Sequence, residues 1–234
     1  NNNTLFSLMK LIFSKAVSER FAGLGVYCAE LVGVETGGEK PELISYISAA
    51  VEAVKKEHVL ERLVQNPLIR AYRDFFWRIG IDPTKTRPSA EALLRRVLAG
   101  RDFPRVNTLV DVYNVVSMQS LLPIAAFDAD KLRGELVMDL SRNGEFFLGI
   151  GMDKPAELTG KEVVVRDDEK LIAIYPYRDA DATKVTLETR HVFLMVCGVP
   201  GIDVDYLQST GENLVKQVTK FCGGTFVKQY VASA

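Results

Sequence analysis

The sequence predicts an α+β fold, with helices gathered in the first half of the chain and short strands in the second. Between residues 43 and 117 apolar side chains recur at i, i+3 and i+4, the period of a helix with one face on a core. From residue 124 to 196 they come instead in short runs separated by Asn-Gly, Asp-Asp-Glu and other glycine-containing turns. Composition agrees, because 47% hydrophobic and 25% charged residues over 234 positions suit a folded chain that buries one sizeable core.

Asn1-Asn2-Asn3, ahead of Met9-Lys10-Leu11-Ile12, reads as a vector-derived remnant covering residues 1–8, so the fold is expected to begin at Met9 as a single domain over 9–234. Residues 10–13 and 24–34 read as strands, the second stopped by Thr36-Gly37-Gly38. Leu43, Ile44, Ile47, Ala50, Val51, Val54, Leu60, Leu63 and Val64 predict one long amphipathic helix over 43–64. Asn66-Pro67 restarts the chain into a second helix, whose core face is Leu68, Tyr72, Phe75, Phe76 and Ile79. Prolines 83 and 88 make 81–88 a loop, since each disfavours helix in the residue before it. A third helix follows with Glu91 in its first turn and Gly100 as its stop. Residues 107–117 read as a fourth helix, more buried than the others because Leu109, Val110, Val112, Val115 and Val116 leave little polar surface. Strands are expected at 124–127, 134–140, 145–148, 161–165, 171–175 and 191–196, and an amphipathic helix over 204–221 closes the chain.

Several function classes are disfavoured. Cys28, Cys197 and Cys222 lie far apart with only two histidines in the chain, so a disulfide framework, a metal site and a cofactor are not expected, and a reducing cytoplasm fits best. The apolar stretch 5–13 is broken by Lys10 and is too short to span a bilayer, so neither a membrane span nor a signal peptide is expected. A net charge of −1 argues against a nonspecific nucleic-acid binder, yet residues 70–105 carry nine Lys/Arg against four Asp/Glu. Within the basic helical segment 66–105, Arg78, Lys85, Arg87, Arg95 and Arg96 are therefore the candidates for RNA contact. Lys85 and Arg87 flank Thr86 between two prolines, which suits either phosphate contact or plain surface solubility.

No generic catalytic motif is present, and Gly149-Ile150-Gly151 and Gly23-Leu24-Gly25 read as turns. The segment Arg178-Asp179-Ala180-Asp181-Ala182-Thr183-Lys184 concentrates charge between two apolar strands. It is either a solvated loop or a place where Arg178 and Lys184 meet a phosphate or carboxylate, with Asp179 orienting one of them and Thr186 and Thr189 adding hydroxyls. Asp111 and Asn114, three apart on a buried helix, suit a turn cap or a ligand about equally. His191, at the start of an apolar strand, reads as structural, and His58 as solvent-facing.

Two motifs then carry a resemblance. Val106-Asn107-Thr108-Leu109-Val110-Asp111-Val112-Tyr113-Asn114 is similar to an N-N-V-V-D-V-T-N helix, and Leu122-Pro123-Ile124-Ala125-Ala126-Phe127-Asp128-Ala129-Asp130-Lys131-Leu132 to Q-P-L-H-A-F-D-x-D-K-L. With 186–194, similar to T-D-E-T-x-N-V-L-L, they resemble the B3/B4 editing domain of the phenylalanyl-tRNA synthetase β subunit, best matched over 106–200. The resemblance implies a helical N-terminal half packed on mixed and antiparallel sheets, tRNA or aminoacyl-tRNA as partner, and hydrolysis of a mischarged ester in trans. It assigns Asn114 to the pocket unchanged, and it places Ala125 where the family has histidine, Met195 where it has glutamate, and Tyr175-Pro176-Tyr177-Arg178 where it has a glycine-rich loop. Those departures keep open a non-catalytic module that binds RNA or an amino acid, and a plain protein-interaction platform.

Overall fold

The computed structural model describes residues 9–38 and 40–234; the remnant expected at 1–8 lies outside them. The chain opens with β1 (Leu11–Phe13), a short α1 (Lys15–Arg20) capped by the Ser14 hydroxyl, and β2 (Gly25–Val32). Helix α2 (Pro41–Glu57) stops earlier than the periodicity suggests, and a 3-10 turn follows over Leu60–Gln65. The cause is visible in the stripe: the positions three and four after Val54 are Glu57 and His58, so continued helix would turn polar groups onto the core. His58 and Val59 are extended instead, and Leu63 reaches the core through the 3-10 turn.

α3 (Pro67–Arg78) begins at Asn66, whose side chain accepts from Leu68 N–H at 2.9 Å. α4 (Ser89–Leu98) and α5 (Thr108–Ser120) follow, the latter capped by Asn107 accepting from Val110 N–H at 3.0 Å. Nine of the thirteen α5 residues are buried, as its apolar composition leads one to expect. The strand-rich half contains β3 (Ile124–Asp128), β4 (Leu136–Leu140), β5 (Phe146–Phe147), β6 (Ala156–Glu157), β7 (Val163–Arg166), β8 (Leu171–Ile174), β9 (Arg178–Asp179) and β10 (His191–Cys197). After α6 (Val204–Cys222) the chain does not end helically. Gly223 and Gly224, both at positive φ, reverse it into β11 (Thr225–Ser233).

The fold is α+β. One sheet is mixed, in the order β1-β4-β7-β8-β9, with β1 parallel to β4 and the other neighbours antiparallel. The other large sheet is antiparallel throughout, in the order β11-β2-β10-β3, and β5 and β6 pair antiparallel as a two-stranded sheet of their own. α6 lies close on β2: a side chain at Gly211 would collide with the Tyr27 ring at 2.2 Å. α4 packs on α5, α5 reaches β3, and β9 meets β3, so both sheets and two helices converge on one place. Tyr72 of α3 and Tyr175, just past β8, donate their hydroxyls to the carbonyls of Cys197 and Gly198 at 2.5 Å each, tying that region together.

Candidate functional site

The convergence of α4, α5, β3, β10 and the β8–β9 turn encloses a cavity of about 590 Å³, within the roughly 300–1,000 Å³ range of small-molecule sites. Its floor is apolar. Ala125 on β3 and Met195 on β10 are directly opposed across the strand pair, 5% and 0% exposed, with Ile124, Ala173 and Ile174 beside them. Asn114 and Tyr113 enter from α5, and Asp179 from β9. The Asn114 amide makes no side-chain hydrogen bond with the described residues, and so faces the cavity with its donors and acceptor unspent. Tyr175 contributes its ring alone, because its hydroxyl is committed to Gly198.

Burial pushes the Asp179 carboxyl up to about 7, against the one backbone N–H, from Ala126, that favours its charged form. That carboxyl also marks its neighbours: burial first and then the Asp179 charge raise the Tyr113 phenol and the Cys197 thiol, so both stay protonated and Cys197 is no thiolate nucleophile. The rim is cationic. Arg96 donates Nε–H to the Asp102 carbonyl at 2.6 Å, Arg101 is exposed, and Arg178 lies with its guanidinium 5.0 Å from the Tyr177 ring centroid. A half-buried carboxyl raised toward neutral pH, an unspent amide and an apolar floor under a basic rim can bind an ester with an apolar acyl side chain and activate water beside it.

A family model described as the B3/4 domain matches residues 71–223. The chain belongs to the B3/4 domain family. The phenylalanine–tRNA ligase beta subunit of Chromobacterium violaceum is 26% identical over 195 residues, 82% of this chain and 23% of that subunit. The corresponding subunit of Fusobacterium nucleatum is 32% identical over 117 residues, 50% of this chain and 14% of its own length. This B3/4 chain thus spans less than a quarter of the relatives it matches. An N-terminal fragment of the phenylalanyl-tRNA synthetase beta subunit from Pyrococcus horikoshii aligns with 97% of this chain and 55% of its own, at 14% identity and a TM-score of 0.49. The family match takes in α3 from residue 71 and all of α4, upstream of the two motifs that first suggested it.

Of the residues singled out in the sequence, the B3/4 cavity brings together Asn114, Arg178, Asp179 and Arg96, and also Ala125, Met195 and Tyr175, where the chain departs from the motifs. The others are elsewhere. Asp111 accepts from Arg105 Nε–H and from Val106 N–H, both at 2.8 Å, and so closes the turn before α5. Lys184 pairs with Asp181 at 2.7 Å, the Thr186 hydroxyl bonds Glu188 at 2.9 Å, and the buried Thr189 hydroxyl donates to Asp128 at 2.9 Å. Arg78 bonds the Arg20 carbonyl and covers the Phe21 ring, while Arg95 is held by Glu91. Lys85, Arg87 and Arg95 line an adjoining shallow hollow that shares Arg96 with the cavity. His191 is structural, its imidazole raised first by the Glu30 carboxylate bonded at 2.6 Å. His58 is not solvent-facing: with 10% of its side chain exposed, it turns inward where α2 breaks.

Sequence reasoning missed Arg101, Tyr113 and Cys197 as cavity residues. It also treated Asp179 as a partner for a cation. No side-chain bond joins it to Arg178 among the described residues, and loss of solvent is what raises its pKa. The three cysteines are free and buried, and no cluster of three or more metal-type side chains occurs among the described residues. No helix of the described residues is long and apolar enough to cross a membrane.

Proposed function

We propose that this B3/4 chain is an aminoacyl-tRNA deacylase acting in trans. The observation that carries the reading is Asp179, a carboxyl raised to about 7 inside a cavity that also holds the unspent Asn114 amide. In its charged form Asp179 takes a proton from a water, and the hydroxide that develops attacks the ester carbonyl. Asn114 donates to the carbonyl oxygen as it gains negative charge; as the C–O bond breaks, protonated Asp179 returns its proton to the ribose oxygen, which leaves with its RNA. No covalent residue is needed, because positioning and polarisation supply the rate. The names of the relatives support tRNA as the RNA component.

The test is a panel of tRNAs charged with non-cognate amino acids, followed for ester loss with the wild-type chain, Asp179→Asn and Asn114→Ala. Hydrolysis by wild type is expected, with kcat reduced about 10²–10⁴-fold by Asp179→Asn, the usual worth of a general base. Ala125 and Met195 on the floor favour a second reading, a module that binds the ester or RNA without cleaving it. Binding without ester loss anywhere on the panel would establish that reading in place of the first.

A further inference from the structure

Beside the cavity lies a second, shallower hollow of about 380 Å³, and the two share Ala92, Arg96 and Arg101 as a common wall. The hollow is also lined by Lys85, Arg87 and Arg95. Its charge is built in a particular way. Glu91, 1% exposed, accepts from Arg95 Nε–H and Arg73 Nη2–H at 2.6 Å each and from Arg73 Nε–H at 2.7 Å, with Arg87 Nε 3.7 Å away. One carboxylate therefore fixes two guanidinium groups by hydrogen bonds, with a third within ion-pair distance, and leaves an excess of positive charge. Lys85 and Arg101 are exposed and make no side-chain bond with the described residues, and Arg96 has only its Nε–H committed, to the Asp102 carbonyl. Two exposed cations without a side-chain hydrogen bond, Lys85 with the Asp82 carboxylate near it, and an open guanidinium end thus stand on a clamped base that opens off the cavity.

We propose that this hollow seats the phosphodiester backbone of the RNA 3′ end whose terminal ester occupies the cavity, a proposal that rests on the deacylase reading for the ligand's orientation. A phosphate suits the hollow because guanidinium and ammonium groups give charge-assisted bonds to its oxygens. An apolar partner would leave these cations desolvated and unpaired. The shared Arg96–Arg101 wall fixes the order: ester and terminal sugar on the cavity side, the preceding phosphates toward Lys85 and Arg87. Arg95 and Arg73 act as positioning residues through Glu91.

The test is binding of a fluorescein-labelled single-stranded RNA octanucleotide with a free 3′ end, carrying no ester, across a salt series. Lys85→Glu/Arg101→Glu is compared with Lys56→Glu/Lys216→Glu, which makes the same charge change at exposed positions on α2 and α6. The first pair is expected to weaken binding at least tenfold and to lower the salt slope by about one to two, as loss of two phosphate contacts requires. The second pair should change affinity less than twofold. Equal effects of the two pairs, or no RNA binding by wild type, overturn the proposal. If the reversal unfolds the chain, Lys85→Gln/Arg101→Gln makes the same comparison. A chain that cleaves esters while both pairs bind RNA alike keeps the deacylase and loses the track. A chain that binds through the hollow but cleaves nothing keeps the track and loses the deacylase.

Discussion

On the deacylase reading, Asp179 couples activity and stability in opposite directions. A carboxyl that titrates near 3.9 in the unfolded chain and about 7 when folded binds its proton more tightly in the native state, so its contribution is full below about pH 4 and is lost as pH rises through 7. The base, however, works only when ionised. The kcat/KM for ester hydrolysis is therefore expected to climb to a plateau above about pH 7, read directly from a pH–rate profile. Asp179→Asn should flatten that profile and raise stability at pH 8 by on the order of 2 kcal/mol in urea unfolding, because the half-buried position then holds no charge. The floor makes a second prediction. Ala125 and Met195 offer no hydrogen-bond partner, so a hydroxyl lodged there goes unpaired at about 1–3 kcal/mol, and phenylalanyl esters should be preferred over tyrosyl esters by roughly five- to 150-fold in kcat/KM. Equal rates on the two would show that another group meets the hydroxyl. Asn114, Ala125 and Met195 were legible as pocket positions because motifs number them. The state of Asp179 was not, since a charged turn looks the same in sequence whether its carboxylate meets water, a cation or neither.

The α3–α4 pair is held by a buried ion cluster. Burial works against ionisation of Glu91, but the hydrogen bonds from Arg73 and Arg95 outweigh it and hold the carboxyl below its usual range. Its contribution is thus present above about pH 4.5 and lost as pH falls through the lowered value. Glu91→Ala leaves two partly buried guanidinium groups unmatched, and a loss of about 2–3 kcal/mol is expected, toward the low end for broken ion pairs because both arginines keep some access to water. Urea unfolding of the variant measures it, and a loss confined below 0.5 kcal/mol (about the surface-substitution range) would mean that packing alone docks these helices. In sequence Glu91 read as a first-turn acid complementing the helix dipole, a role compatible with its position but silent about Arg73, eighteen residues earlier on another helix. Helices were legible wherever one apolar stripe ran unbroken, as in α3, α5 and α6. The long-helix expectation failed at Glu57-His58, where the stripe itself lapses. β11 escaped notice because its residues are mostly half-buried, giving no clean alternation to read.

The family match over 71–223 leaves out strands that the whole molecule needs. β2 lies between β10 and β11 in the antiparallel sheet, with seven of its eight residues buried, and β1 lies parallel to β4 in the mixed sheet. A chain reduced to 71–223 keeps the cavity lining but exposes the β10 edge and the face that covers β2. Val26, Tyr27 and Leu31 are each fully buried, and burial of such side chains contributes about 1.5–3 kcal/mol apiece to a net stability that in ordinary domains is only about 5–15 kcal/mol. The fragment 71–223 is therefore expected to show no cooperative thermal transition and to aggregate through its open edge, whereas 9–234 unfolds in one step. Removing β11 alone, as 9–224, should give an intermediate case: β2 stays paired with β10 but becomes the edge, so the transition persists at lower temperature and light scattering rises with concentration. A fragment 71–223 that melts cooperatively and stays monomeric would show that the N-terminal strands are an addition to a self-sufficient B3/4 core, and would move the origin of the cavity's rigidity to α3, α4 and α5.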